Sequence, residues 1–221
     1  LGYNKQVMAY DESNIKSLSS SEHIRQRPGM YIGRLGNGSH PDDGIYILLK
    51  EVVDNSIDEF MEGWGNRINI NVVDRTVSVR DFGRGIPLAK VIECVSVINT
   101  GAKYDNEAFQ YSVGLNGVGI KAVNALSTSF IIESIREGQK KRVEFSKGLV
   151  VNEYELEPTK EKNGTRVLFV PDNTIFENYR FHDDFMRAML RNYTYLNRGL
   201  TMVYNGTSYS SENGVVDLLK E

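Results

Sequence analysis

The stretch from Asp42 to Gly63 most restricts the folds that are open to this chain. At about 100° per residue, one face of a helix would carry mostly apolar side chains: Ile45, Leu48, Leu49, Val52, Ser56 and Phe60. A polar row lies almost opposite, made of Glu51, Asn55, Asp58 and Glu62. Such a row on a long helix is ordinarily a solvated surface. A function for it therefore needs support from elsewhere in the chain.

Length and composition exclude several classes of protein. A chain of 221 residues can form one large or two small domains with a substantial core. Its net charge of −3 lacks the basic excess with which proteins grip nucleic acid. Cys94 is the single cysteine, which excludes an internal disulfide and a cysteine-rich zinc site. Neither a signal peptide nor a membrane-spanning stretch is visible, so we expect a cytoplasmic protein or a piece of one.

The order of the predicted elements indicates an α+β fold, with helices on one face of a mixed, mostly antiparallel sheet. We expect an N-terminal arm over residues 1–20 and one domain over residues 21–221. A short helix is expected to start at Ser21, and the helix over residues 183–196 should turn Phe185, Met189, Tyr193 and Leu196 inward. Two further helices are predicted over residues 88–100 and 118–126, and a last helix is predicted to start near Gly214. The predicted strands cover residues 68–72, 76–80, 130–136, 140–146, 149–156, 166–170, 201–204 and 207–209.

An aspartate and two glycines follow the second predicted strand, in the segment Asp81-Phe-Gly-Arg-Gly-Ile-Pro87. This is common turn chemistry. The functional alternative is that Asp81 accepts a hydrogen bond from an exocyclic amine and so selects adenine over guanine. Gly83 and Gly85 would then let the backbone approach the ring, and Pro87 would fix the exit of the turn. Thr165 is either an ordinary strand threonine or a second group that hydrogen-bonds the base.

A glycine-punctuated loop covers residues 101–119 and ends in Gly114-Leu-Asn-Gly-Val-Gly119 before a predicted helix. Backbone N–H groups and a helix N-terminus together form a phosphate cradle. The loop is not a P-loop, because no Gly-Lys-Ser/Thr follows, and no strand leads into it as in a dinucleotide fingerprint. Gly101 would hinge the loop and Lys103 would offer a cation to phosphates, unless Lys103 is a plain surface lysine.

The polar row of the first long helix would have a functional role if it faced a triphosphate. Glu51 would then polarise an attacking water as general base. Asn55, one turn later, would offer a neutral oxygen to a Mg²⁺ ion that otherwise keeps waters and phosphate oxygens.

Four motifs in this order resemble the four boxes of the GHKL ATPases, which share the Bergerat nucleotide-binding fold: Glu51-x-x-x-Asn55, Asp81-x-Gly-x-Gly85, Gly114–Gly119 and Gly164-Thr165. Within this superfamily the chain is most similar to the N-terminal ATPase domain of bacterial type II topoisomerase B subunits. The segments that carry this likeness are Arg27–Gly33, Glu51–Glu59, Gly83–Pro87 and Lys121–Leu126. The resemblance extends from about Tyr10 to the end of the chain.

The resemblance implies ATP and Mg²⁺ as cofactors, with Glu51 as the catalytic base and Asn55 as the magnesium ligand. It implies an adenine pocket of Asp81, Thr165, Val52 and Val167. The implied pocket rim contains Glu59 paired with Arg84, together with Gly83, Gly85, Ile86, Pro87 and Arg136. The implied ATP lid runs from Gly101 to Gly119 and includes Lys103, Gly114, Leu115, Asn116, Gly117 and Val118. Tyr10 would reach the nucleotide site of a partner subunit, so that ATP binding closes a dimer gate.

Two residues depart from the gyrase-type pattern. Ile47 stands where many members have a histidine that orients the base, and Asn116 stands where the lid usually has a histidine. The segments Gly114–Gly117 and Asn99–Tyr104 favour the topoisomerase IV branch over the gyrase branch.

The resemblance also implies further domains, an A-type partner subunit and DNA as the substrate of the holoenzyme. From the resemblance, we expect the transducer and DNA-cleavage domains to lie outside this chain of 221 residues. We therefore expect it to bind ATP, to hydrolyse it slowly, to be largely monomeric and to bind little DNA.

Two other classes stay open. A sensor-kinase catalytic domain shares the fold, but the Tyr10 arm and the Arg27–Gly33 segment argue against it, as does the lack of a phosphoacceptor helix. Phosphotransfer to a histidine peptide would favour it. A non-catalytic clamp like Hsp90 or MutL is kept open by Ile47, and would be indicated if Glu51→Ala changed nothing measurable.

Overall fold

The computed structural model describes residues 18–98 and 117–220. Most of the predicted arm and most of the glycine loop lie outside these residues. The described helices are α1 (Ser20–Gln26), α2 (Gly29–Ile32), α3 (Gly44–Met61), α4 (Val91–Ser96), α5 (Gly119–Ala125), α6 (Asp183–Leu196) and α7 (Val215–Leu218). The described strands are β1 (Arg67–Val73), β2 (Thr76–Asp81), β3 (Ser127–Arg136), β4 (Gln139–Ser146), β5 (Leu149–Glu153), β6 (Glu157–Pro158), β7 (Gly164–Pro171), β8 (Thr201–Tyr204) and β9 (Thr207–Tyr209).

The strands form one mixed sheet in the order β5-β4-β3-β7-β2-β1-β8-β9, and β6 pairs with β4. Strands β1 and β8 run parallel, and the other pairings are antiparallel. Each of these two parallel strands follows a long helix, α3 before β1 and α6 before β8. The structure confirms the predicted mixed, mostly antiparallel sheet with helices.

Helix α3 is the most deeply buried long helix in the described part of the chain. Its predicted apolar face lies in the core, and Val53 and Ile57 beside that face are buried as well. The polar row is not a solvated surface, since Asp58 is 1% exposed and Glu51, Asn55 and Glu62 are only partly exposed. The row is therefore covered by other parts of the protein.

The start of α3 is anchored by a buried aspartate. The Asp43 carboxylate accepts a hydrogen bond from the Gly38 backbone at 2.9 Å and forms an ion pair with Arg34 at 3.1 Å. These partners offset the cost of burying its charge. The anchor fixes where α3 begins and hence where its polar row lies.

Helix α6 has the predicted bounds, but its inward stripe is rotated from the predicted one. The fully buried side chains are Met186, Leu190 and Thr194, while Phe185, Met189 and Tyr193 pack beside the core with partial exposure. Leu196 was predicted to face inward, and this is wrong, because it is 70% exposed. It lies in the last turn, directly before the capping residue Asn197, where the helix ends.

Two helix ends also differ from the prediction. Ser19 caps α1 in place of Ser21, through a capping box with Glu22. The predicted helix over residues 88–100 is a 3₁₀ turn, Leu88–Lys90, followed by the short α4. Helix α4 ends because Val97 has an extended backbone, with φ −105° and ψ 121°.

Within residues 18–98 and 117–220, every helix is too short or too polar to cross a membrane.

Candidate functional site

Asp81 is a buried carboxylate at the end of β2. It shares a strand face with Val77 and Val79, which are buried in the core. Its Oδ1 accepts hydrogen bonds from the backbone N–H groups of Gly83 at 2.9 Å and Thr165 at 3.0 Å. Burial raises the pKa of Asp81 to about 6, although these two N–H groups act in the opposite direction. The carboxylate is therefore held rigidly and is still mainly ionised at neutral pH.

Arg80 supports this turn from behind and was missed by the sequence analysis. Its side chain donates to the backbone carbonyls of Asp81 and Lys162, and its guanidinium lies 4.7 Å from the centre of the Phe82 ring. These contacts connect the end of β2 to the loop that precedes β7. Thr165 is the second residue of β7. The alternation along β2 places Arg80 on the opposite face from Asp81, and an arginine in a strand gave no distinct sequence signal of this role.

Glu59, on α3, lies against the Asp81–Pro87 turn. Its carboxylate binds the Arg84 guanidinium through two hydrogen bonds of 2.8 and 3.1 Å and accepts the Arg84 backbone N–H at 2.8 Å. The Glu59 hydrogen bond raises the pKa of Arg84. A Cβ at Gly83 would lie 2.7 Å from Glu59 Oε2, so only glycine permits this approach.

Hydrogen bonds from β3 hold the second half of the turn. Arg136 donates to the Gly85 carbonyl at 3.4 Å, and the Ser134 hydroxyl donates to the Ile86 carbonyl at 2.6 Å. Pro87 is exposed at the exit. Ser134 was not among the predicted residues, and a serine in a strand gave no distinct sequence signal of this role.

Glu51, in the middle of α3, lies against the start of α5. A Cβ at Gly119 would overlap the Glu51 carboxylate, with 2.5 Å to Cδ. Asn55 donates from its side-chain nitrogen to the Glu51 backbone carbonyl at 2.7 Å, so its amide nitrogen points to the helix backbone. Helix α3 thus contacts the end of the glycine loop through Glu51 and the Asp81 turn through Glu59.

The end of the glycine loop is tied to α5 by a lysine that the sequence analysis did not single out. The Lys121 ammonium donates to the carbonyl of Gly117, and Lys121 is only 4% exposed. Val118 precedes α5 with an αR backbone. A single lysine in a helix gives no distinct sequence signal for such a contact.

Two predicted apolar residues of the pocket, Val52 and Val167, are buried in the core. Val167 lies opposite Val79 on β2 and opposite Ile132 on β3. Six further predicted residues lie outside the described ranges, and their predicted roles stay predictions: Tyr10, Gly101, Lys103, Gly114, Leu115 and Asn116.

Side chains that could ligate a metal ion are scattered over the described part of the chain. No group of three or more His, Cys, Asp or Glu side chains among residues 18–98 and 117–220 is arranged to hold a metal ion. A Mg²⁺ ion at Asn55 would therefore depend on phosphate and water for most of its ligands.

A separate open cleft of about 780 Å³ lies at the other end of β1 and β2. It contains none of the predicted site residues. Its lining comes from the β1–β2 turn, the segment before α6 and the β8–β9 turn: Val72, Asp74, Arg75, Asn178, Tyr179, Arg180, Phe181, His182, Asp183, Tyr204 and Asn205.

Comparison with known proteins identifies the family of the chain. The pattern of the family described as histidine kinase-, DNA gyrase B-, and HSP90-like ATPase matches residues 41–175. The chain is 55% identical over 210 residues to the B subunit of DNA topoisomerase 4 from Borreliella burgdorferi, covering 95% of this chain and 35% of the relative. It is 39% identical over 221 residues to the B subunit of DNA gyrase from Thermus thermophilus, covering 95% of this chain and 34% of the relative.

A solved structure is similar in fold. The crystal structure of the 43K ATPase domain of Thermus thermophilus gyrase B in complex with an aminocoumarin matches with a TM-score of 0.76 and 32% identity. The match covers 92% of this chain and 54% of that chain. The present chain spans about a third of the length of these curated relatives.

Proposed function

Because the chain belongs to the family of histidine kinase-, DNA gyrase B- and HSP90-like ATPases, we propose that it binds and hydrolyses ATP. We further propose that it is the ATPase domain of a type II DNA topoisomerase, of the kind found in the B subunit of topoisomerase IV. One observation supports this most directly. A single buried helix, α3, places Glu51 against Gly119 at the end of the glycine loop and Glu59 against Gly83 beside Asp81. The proposed base and the proposed adenine-binding turn are thus held by one rigid element.

The residues present fit an adenine nucleotide. Both described hydrogen bonds to Asp81 go to Oδ1, which leaves Oδ2 as the acceptor for the exocyclic amine of adenine. Guanine has a carbonyl at the corresponding position and would place an acceptor against this carboxylate. Val52 and Val167 supply apolar surface for the ring, and Thr165 is held next to Asp81 by its backbone N–H.

The proposed chemistry is hydrolysis by an activated water. Glu51 accepts a proton from the water at its carboxylate, in its position against Gly119. Asn55 would hold Mg²⁺ through its amide oxygen, and the ion would supply charge stabilisation to the phosphates. By the resemblance, the segment from Gly114 to Gly119 would bind the phosphates and exclude other water from them, and Lys103 would contribute positive charge.

In the whole protein, ATP binding would close a gate between two copies of the B subunit, with Tyr10 of each reaching the other's site. This closure would drive DNA strand passage together with an A-type subunit. We place the protein in the cytoplasm. The higher identity to the topoisomerase IV relative than to the gyrase relative supports the topoisomerase IV branch, and a gyrase B domain is the second candidate.

Nucleotide binding tests the adenine site. Calorimetry with ATP and GTP, each with and without Mg²⁺, should give a strong adenine preference that Asp81→Asn abolishes. Asp74→Asn is the control, because Asp74 lies at the opposite end of β2 and lines the separate cleft. Equal affinity for ATP and GTP in the unmodified chain would remove Asp81 as the selecting residue.

Hydrolysis tests the base. In the full-length protein, Glu51→Ala should lower the ATPase kcat by about 10²-fold or more while ATP still binds. Glu62→Ala, at the far end of the same polar row, should retain most of the activity. A full-length Glu51→Ala protein with unchanged kcat would favour a non-catalytic nucleotide clamp.

A further inference from the structure

A short hydrogen bond joins the helix that carries Glu51 to a helix far along the chain. The Tyr193 hydroxyl of α6 donates to Asp54 Oδ1 of α3 at 2.5 Å, between positions 139 residues apart. Both side chains are partly buried. A hydrogen bond to a carboxylate in such a setting is stronger than one between neutral groups.

Two side-chain contacts join α3 to α6. Near their starts, the rings of Tyr46 and Phe185 meet edge to face at 5.8 Å. The second contact, between Asp54 and Tyr193, lies eight residues later on each helix, which is about 12 Å of helix on both sides. Equal spacing on both helices indicates that α3 and α6 run in the same direction, and two contacts about 12 Å apart restrain the rotation of α3 more than one contact would.

The second contact lies directly beside the proposed base. Asp54 follows Glu51 by three residues, so the two side chains are neighbours on the helix surface. On the other side, one turn before Glu51, Ile47 packs against the core and has no group that can donate to a carboxylate. The Tyr193 hydroxyl gives this part of α3 a polar contact from α6.

Tyr193 is itself held firmly. The backbone N–H and the side-chain amide of Asn197 donate to the Tyr193 carbonyl at 3.0 and 2.9 Å, at the end of α6. The pKa of Tyr193 is raised by burial first, then by Asp54, with a further contribution from the charge of Glu51. The hydroxyl thus keeps its proton, remains a donor at physiological pH, and lies within electrostatic reach of Glu51.

We propose that Tyr193 is a positioning residue for ATP hydrolysis: its hydrogen bond to Asp54 fixes the turn of α3 that holds Glu51 against Gly119. The inference rests on the proposed function. Tyr193 itself would touch neither the nucleotide nor the attacking water. It acts through the rotation of α3, and a displacement of about 1 Å at a base is enough to cost as much as 10²-fold in rate.

The test is Tyr193→Phe in the full-length protein, which removes one oxygen and keeps the ring. We expect kcat for ATP to fall about tenfold while the KM for ATP changes less than about twofold, because the groups that bind the base and phosphates are untouched. The control is Tyr204→Phe, which deletes a similar bond of 2.6 Å to Asp183 at the start of α6, away from Glu51. It should retain kcat.

Two further variants separate positioning from simple stability. Asp54→Asn keeps an acceptor for the tyrosine and should retain more activity than Asp54→Ala. The double variant Tyr193→Phe/Asp54→Ala should be no slower than Asp54→Ala alone, because both changes remove the same bond. Thermal unfolding of each variant gives the folded fraction, to which kcat is normalised.

The outcomes are distinct. The inference is overturned if Tyr193→Phe retains kcat within about twofold, or if Tyr204→Phe loses as much after normalisation. In either case ATP hydrolysis by the unmodified protein would leave the proposed function in place. Failure of the unmodified protein to bind or hydrolyse ATP would overturn both.

Discussion

The Glu51 carboxylate occupies the space in which a side chain at Gly119 would begin. A Cβ built on Gly119 would lie 2.5 Å from Glu51 Cδ and 3.1 Å from its Cγ, well inside contact distance. Helices α3 and α5 therefore meet at a point where one of them has no side chain. The proposed base reaches the glycine loop because of this gap.

Gly119→Ala should consequently disable the site. The added methyl group must displace either the Glu51 carboxylate or the first turn of α5, and we expect the ATPase kcat of the full-length protein to fall at least about tenfold. Overpacking should also cost about 1–3 kcal/mol in the free energy of unfolding. Steady-state kinetics and urea unfolding measure the two effects.

The matched control is Gly29→Ala, since nothing lies within 4 Å of a Cβ at Gly29. That variant should keep its activity and be as stable as the unmodified protein or slightly more so. Normal hydrolysis by Gly119→Ala would show that Glu51 does not need its described position.

Asp81 should make stability depend on pH. Its pKa rises from 3.8 to about 6 on burial, so the folded protein binds this proton more readily than the unfolded chain. The favourable contribution of the protonated carboxyl is complete below about pH 4 and is lost as the pH rises through about 6. Asp81→Asn is neutral throughout and can still accept both backbone N–H groups. Its stability relative to the unmodified chain should increase by up to about 3 kcal/mol between about pH 4 and 7.

Urea unfolding at several pH values measures this difference. Asp217→Asn serves as the control, because hydrogen bonds from Ser211 and Asn213 lower the pKa of Asp217 to about 2, below the window. Its curve should run parallel to that of the unmodified chain between about pH 5 and 7, where Asp217 is ionised in both the folded and the unfolded chain. A parallel curve for Asp81→Asn as well would mean that Asp81 is not desolvated.

The Glu59–Arg84 pair should stabilise the protein more than a surface ion pair does. A double-mutant cycle with alanine at both positions should give a coupling of about 1–2 kcal/mol, because the pair is bidentate and its side chains are only 18% and 29% exposed. The Lys90–Glu93 pair is as short, at 2.6 Å, but is 60% and 42% exposed. Its coupling should be below about 0.5 kcal/mol. Equal couplings for the two pairs in urea unfolding would contradict this explanation.

Helix α6 permits a test of its observed orientation. Leu190→Ala should lower the free energy of unfolding by about 2–5 kcal/mol, because Leu190 is fully buried and its loss leaves a cavity. Leu196→Ala, on the same helix, should change it by no more than about 0.5 kcal/mol. The reverse order in urea unfolding would restore the predicted inward position of Leu196.

Periodicity predicted the elements well because it reflects local rules. The bounds of α6 and of the β8–β9 hairpin agree with the prediction to the residue. Asn205 and Gly206 both have positive φ at that hairpin turn, which is the conformation that such a pair favours. The orientation of α6 could not be predicted in the same way, because neighbouring stripes on a helix differ by only one residue and the sheet decides which is covered.

The order of the sequence motifs was enough to predict that this chain is a GHKL-type α+β domain. It also identified Glu51, Asn55 and Asp81 as candidate site residues. Spacing along a helix and turn chemistry are local, so they can be read from the chain. The tertiary structure alone decided that the polar row of α3 is covered, that Arg80, Ser134 and Lys121 support the site, and that Tyr193 reaches Asp54. Each of these depends on the packing of segments far apart in the chain, for which no local pattern exists.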